Sequence, residues 1–276
     1  MNQWDCTVNI PFRKNGSRRF LPDAVFDFDE KYIDLYAAAV TREVIAASEG
    51  LEDIHIARVE ITGCAALIRG SMLGRIAASI RRYLPVDEST IWIVHGEAGS
   101  LTEDFVRFCV ELPVSELRLD YRTASAKESL EMGYQPTTGE YPQDLRLLKQ
   151  AGFERYSIVI SDNGCNKTDA IFEDTVRNFS TLGAAWLRLP LCLTGSRAEK
   201  AAGILIAQGY QAFAEAPACY VREGFAPVRE TVPDGILGIG MNAVTCLPEG
   251  KCKNTNDLFL YLSHSDDVSM ISKIVR

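Results

Sequence analysis

Short apolar runs bounded by turn residues recur along the chain, separated by longer stretches in which apolar residues return with helical spacing. IHIARVEI (54–61), STIWIV (89–94), ELRLDY (116–121), RYSIVI (155–160) and AAWLRLPL (184–191) read as strands, being short and rich in β-branched or aromatic residues. A further strand from Thr7 to Ile10 runs into the basic loop FRKNGSRRF. Between them YIDLYAAAVTREVIAAS, SMLGRIAASIRRYL, SLTEDFVRFCVEL, GEYPQDLRLLKQAGF and KTDAIFEDTVRNFSTLG read as amphipathic helices. Gly152 is placed to close the fourth, while Thr168 and Gly183 are placed to open and end the fifth.

Alternation at about thirty-residue intervals is the signature of parallel βαβ units, so a barrel or a doubly wound sheet is expected. After AEKAAGILIAQGYQAF the regularity weakens, and GILGIGMNAV reads as a Gly-rich turn. The expected organisation is a β/α unit over residues 1–210 with a small C-terminal extension, 211–276, packed on it. In either parallel architecture chemistry gathers at the C-terminal ends of the strands.

Composition narrows the class. With 276 residues, 47% hydrophobic and 24% charged, the chain suits a globular domain, and no run approaches the ~20 apolar residues of a membrane span. MNQWDCTVNIPF shows no charged leader followed by an apolar block, so a cytoplasmic location is expected. The net charge of -8, and a basic cluster without interleaved aromatics, argue against nucleic acid as a partner. Eight cysteines without a secretory leader read as reduced thiols, none forms CxxC, and with only His55, His95 and His264 a local zinc site is not expected.

The segments at the predicted strand ends, taken in order, resemble the radical-SAM family of oxygen-independent coproporphyrinogen III oxidase and the heme chaperones. LKQAGFERYSIVI, IFEDTVRNFSTLG and ILIAQGYQAF look like the family's helix-strand repeats. GILGIGMNAVT looks like its GLGxGAHS stretch, and NTNDLFLYL like its closing N-x-x-D-L-x-x-Y element. The likeness runs from about residue 6 to residue 262 and implies a partial parallel (β/α)6 barrel of radical-SAM type.

The residues that carry the family's chemistry are replaced. Its HIPFCxxxCxxC opening, which holds a 4Fe-4S cluster that binds SAM, keeps NIPF here, but Arg13, Ser17 and Phe20 stand at the three cysteines. A guanidinium has no lone pair to give, a phenyl ring cannot ligate iron, and a hydroxyl is a poor substitute for thiolate, so the conventional cluster is not expected. GGGTPT aligns with Ile61 to Ala66 and keeps only Gly63. The EANP carboxylate falls at His95, the GVQS glutamine at Arg122 and the GAHS histidine at Val244.

Several readings of these residues stand side by side. Arg13, Lys14, Arg18 and Arg19 are either a solvated loop or, with Arg122, a cationic mouth for carboxylates or phosphates. Tetrapyrroles carry several carboxylates and fit such a mouth by analogy. His95 is either a base or ligand, or a hydrogen-bonded residue near a strand end. Cys64, Cys165 and Cys192, each at or beyond a predicted strand end, are either small buried apolar groups or converging ligands for a cluster, heme or soft metal. Three functions are therefore open: a cluster-less protein binding a small anionic ligand or a partner enzyme; an enzyme using SAM or an anionic substrate in a non-radical reaction; and a metalloprotein with distributed cysteine ligands. Gly63, His95 and the rim arginines are the ligand-binding candidates in the first two.

Overall fold

Period-two alternation in the strands decides the architecture, because each strand turns one set of side chains to a layer of helices and the other set away from it. The computed structural model describes residues 2–13, 26–27, 30–49, 51, 53–97, 99–121, 123–125, 127, 140–160, 168–214, 216, 218–226, 228 and 232–275. Along them run β1 (Asn2–Ile10), β2 (Phe12–Arg13), β3 (Phe26–Asp27), α1 (Glu30–Ala46), β4 (Ile54–Gly63), α2 (Gly70–Tyr83), β5 (Ile91–Glu97), α3 (Glu103–Glu111), β6 (Glu116–Asp120), α4 (Glu140–Gln150), β7 (Tyr156–Val159), α5 (Asp169–Ser180) and β8 (Trp186–Arg188). Then follow α6 (Gly195–Ala207), β9 (Tyr210–Ala212), β10 (Cys219–Arg222), β11 (Gly235–Ile239), β12 (Val244–Leu247), β13 (Gly250–Asn254), α7 (Leu258–His264), α8 (Val268–Ile271) and β14 (Ser272–Val275).

Among the described residues one sheet of twelve strands runs β14-β13-β12-β11-β1-β4-β5-β6-β7-β8-β10-β9. Strands β1 and β4 to β8 are mutually parallel, as the βα alternation requires. Cys6, Val8, Val59, Ile61, Val94, Leu117, Leu119, Ile158 and Leu187 form the face beneath the helices and are fully buried. Leu73, Ile76 and Ile80 from α2, Phe105 from α3 and Phe172 and Val176 from α5 join them in one core. Thr102 and Thr168 cap α3 and α5 by accepting from the Phe105 and Ile171 backbone N–H groups.

Two sequence expectations change. GILGIG is a strand, β11, parallel to β1, and not a turn. Its glycines serve close approach: a Cβ on Gly235 would lie 2.5 Å from the Trp4 ring and one on Gly238 2.6 Å from the Val244 backbone. The chain turns only afterwards, at Gly240 and Asn242, both with positive φ. Strand β5 runs on through His95 to Glu97, so His95 stands within the strand. Residues 211–276 supply strands to both ends of the same sheet, β10 pairing with β8 and β11 with β1.

Candidate ligand site at the strand ends

At the C-terminal end of β4 the backbone passes against β1. Gly63 has φ +74°, and a Cβ there would lie 2.1 Å from the Ile10 carbonyl oxygen. Glycine at 63 therefore has a backbone cause, independent of any ligand. The next residue, Cys64, is 1% exposed, and its Sγ donates to Glu97 Oε2 at 3.1 Å. Glu97 ends β5 and is itself buried, with Oε1 lacking any hydrogen-bond partner. A thiol and a half-satisfied carboxylate thus sit together where two parallel strands end.

The face of the sheet turned away from the helices is polar. Registered partners in a parallel ladder share a face, which places Asp5, Arg58, Glu60, His95, Glu97, Glu116, Arg118, Ser157 and Arg188 on one side. Arg58 pairs with Asp5. Glu60 Oε1 accepts from Arg118 Nη1 at 2.8 Å and lies 2.7 Å from His95 Nε2. Glu116, with no exposed surface, takes Arg188 in a two-pronged grip at 2.8 and 2.9 Å and Arg118 at 3.3 Å. These ties lace β1, β4, β5, β6 and β8 together through their own charges.

Ionisation follows from the pairing. Burial alone would raise the Glu60 carboxyl, but the hydrogen bond and charge of His95, with Arg118 and Arg58, outweigh it and hold the group at about 2. For Glu116, burial is likewise overcome by Arg118 and Arg188, and the carboxyl stays below its ordinary range. Asp5 goes the other way, burial pushing it up despite Arg58.

A separate buried cluster explains the closing N-x-x-D-L-x-x-Y element. Glu43 of α1 accepts from Asn254 Nδ2 at 2.5 Å, Tyr261 OH at 2.5 Å and the Gly240 N–H at 2.7 Å. Asp257 caps α7, accepting from the Phe259 and Leu260 N–H groups, and so sets the helix that delivers Tyr261. Tyr36 OH donates to Asn9 O at 2.7 Å and accepts from the Met241 N–H at 3.0 Å, tying the same turn to β1. Burial raises Glu43 to about 7 against these hydrogen bonds. The element anchors the C-terminal strands to α1.

The remaining candidates are distributed as follows. His95 lies on the polar face beside Glu60. Cys192 is exposed in the turn after β8, four strands along the sheet from Cys64. The Arg13 backbone belongs to β2, but its side chain, with Lys14, Ser17, Arg18, Arg19, Phe20, Arg122 and Cys165, lies outside the described residues. Among the described residues no group of three or more His, Cys, Asp or Glu side chains is placed to hold a metal ion. Arg, Ser and Phe at 13, 17 and 20 do not fit an iron-sulfur cluster, and no step is derived through one. Of the positions aligned with SAM contacts, Gly63 answers to the backbone and His95 to Glu60. Sequence reasoning passed over Glu60, Glu97, Glu116, Arg118 and Arg188, although charges at alternate positions of HIARVEI, ELRLD and WLR were a visible signal.

The fold is that of the radical-SAM enzymes. Coproporphyrinogen III oxidase (HemN) from Escherichia coli, a radical-SAM enzyme, superposes on 100% of this chain and 72% of its own at a TM-score of 0.79, with 12% sequence identity. Native anSMEcpe with bound AdoMet and the Cp18Cys peptide matches 75% of this chain and 60% of its own at 0.49 and 11% identity. The radical SAM methyltransferase TsrM from Kitasatospora setae matches 53% and 27% at 0.36 and 13% identity. No protein-family model matches the chain, and no curated protein sequence matches it. Among the described residues no helix is long and apolar enough to cross a membrane.

Proposed function

We propose that this chain is a cluster-less protein of the radical-SAM fold that binds a small anionic ligand, of tetrapyrrole type, or a partner enzyme at the strand ends, without radical chemistry. One observation carries the reading: Arg, Ser and Phe stand at 13, 17 and 20, the positions that the resemblance aligns with the family's cluster cysteines, while the sheet's polar face is laced by its own ion pairs. Because those interior arginines are matched by carboxylates, attraction for an anion falls to arginines 13, 18, 19 and 122, which the sequence sets beside predicted strand ends. A cytoplasmic setting belongs to the same reading.

Anaerobic reconstitution with iron and sulfide tests it, run beside a variant lacking Cys64, Cys165 and Cys192. No stoichiometric cluster in either, together with a thermal shift on adding coproporphyrin that is lost in Arg13→Ala/Arg122→Ala, is the expected result. A stoichiometric cluster in the parent that disappears in the variant would restore the metalloprotein reading.

A second reading, a non-radical enzyme using SAM or an anionic substrate, draws on Cys64 and Glu97. The open Glu97 oxygen is an acceptor awaiting a donor at the place where chemistry gathers in parallel sheets. A thermal shift with SAM that Glu97→Gln removes would favour it.

A further inference from the structure

Helix α2 is a charge anomaly. The chain carries -8 overall, yet no acidic residue occurs from Ile61 to Val86, where Arg69, Arg75, Arg81 and Arg82 fall. Its apolar stripe of Leu73, Ile76, Ala77 and Ile80 faces the sheet and leaves Arg75 and Arg82 exposed on the opposite side, with Arg81 exposed at the edge toward α3, where its Nη2 donates to the Leu112 carbonyl at 3.4 Å. Grooves flank it on both sides, one of about 500 Å³ against α1 and one of about 400 Å³ against α3. Ala37, Ala38, Ala77 and Ala78 give them shallow apolar linings, and Arg82 borders both. Arg82 lies over the Tyr83 ring at 5.3 Å, adding a half-exposed aromatic at the end of the larger groove.

We propose that the outer face of α2, with its two grooves, docks an acidic amphipathic helix of a partner protein. Grooves running between neighbouring helices accept the ridge of a third helix, and short side chains on the floor let it approach closely. Arginine in the rim supplies hydrogen bonds to carboxylates from a weakly hydrated cation, which suits an interface better than lysine. Nucleic acid fits less well, because the alanine-lined grooves offer a seat to apolar side chains that a phosphate backbone does not use, and the chain carries -8 overall. The surface is distinct from the strand-end site, so its failure would leave the proposed function standing.

The test uses the whole purified chain and three fluorescent probes: a helical peptide with glutamates on one face and leucine and alanine on the other, the same peptide with lysine for glutamate, and a short random DNA duplex. Saturable anisotropy change with the acidic peptide alone is expected. It should weaken by about tenfold or more in Arg75→Glu/Arg82→Glu, as charge reversal at a complementary interface does. It should weaken comparably in Ala78→Trp, which fills the floor without touching charge. Circular dichroism of each variant separates lost binding from lost fold. Equal binding of the DNA duplex, or binding untouched by Ala78→Trp, would reduce the patch to non-specific attraction and overturn the proposal. So would no binding of the acidic peptide.

Discussion

Glu116 sits with no exposed surface between Arg118 and Arg188, and the three stand or fall together. Removing the carboxylate takes from Arg188 its two-pronged acceptor and from Arg118 one of its two carboxylates in a poorly solvated place, so Glu116→Ala is expected to cost about 3–5 kcal/mol in urea unfolding. Protonation gives the same logic a sign. Glu60 folds with its pKa near 2 against 4.5 for an unperturbed glutamate, so its stabilisation is full above about 4.5 and is lost as the pH falls through about 2. Glu43 is the reverse case. Its folded value near 7 lies above 4.5, so its contribution is full below about 4.5 and is lost as the pH rises through about 7. Each window is worth about 3 kcal/mol at 1.36 kcal/mol per pKa unit. Unfolding midpoints across the two windows are expected to peak near the boundary between them, and Glu43→Gln, which mimics the protonated side chain, should flatten the upper decline alone.

Strands and helices are held to their places by backbone as much as by side chains. Gly63 and Gly74 make the contrast plain, since neither residue has a side chain to lose. Alanine at 63 would need a left-handed φ and would drive its Cβ into the Ile10 carbonyl, costing about 1–3 kcal/mol from backbone strain alone before β1 shifts. Alanine at 74, within α2, meets nothing within 4 Å and is expected to stabilise by about 0.5–1 kcal/mol through helix propensity. Thermal or urea midpoints of the two variants should therefore move in opposite directions. Loss of the α7 cap in Asp257→Ala should cost about 1 kcal/mol, read as weakened burial of Tyr261 against Glu43.

At the scale of the whole molecule, one sheet buries an apolar face under the helices and turns a charged face away from them. The N-x-x-D-L-x-x-Y element and the GILGIG stretch close the sheet onto α1 and β1. Sequence alternation was enough to locate the six parallel strands and the helices between them, since period two and period 3.6 are local properties. It also located the cap at Thr168, and Gly63 at a strand end. The Gly-rich β11 was misread because glycine needed for tight packing looks the same as glycine needed for a turn. The charged network was misjudged for a different reason. Alternation shows that Glu60, Glu116, Arg118 and Arg188 share a face with one another within their strands, but not which strand lies beside which.

Element types, the βα order and the presence of Arg, Ser and Phe at 13, 17 and 20 are therefore properties of the chain as written, each resting on a few neighbouring residues. The meeting of Glu60 with His95 and Arg118, of Cys64 with Glu97, and of Glu43 with Asn254 and Tyr261 belongs to the folded sheet. Those contacts join residues separated by 33 to 218 positions. Only strand order and register, set by the burial of one whole face against the helices, bring such distant groups within hydrogen-bonding reach.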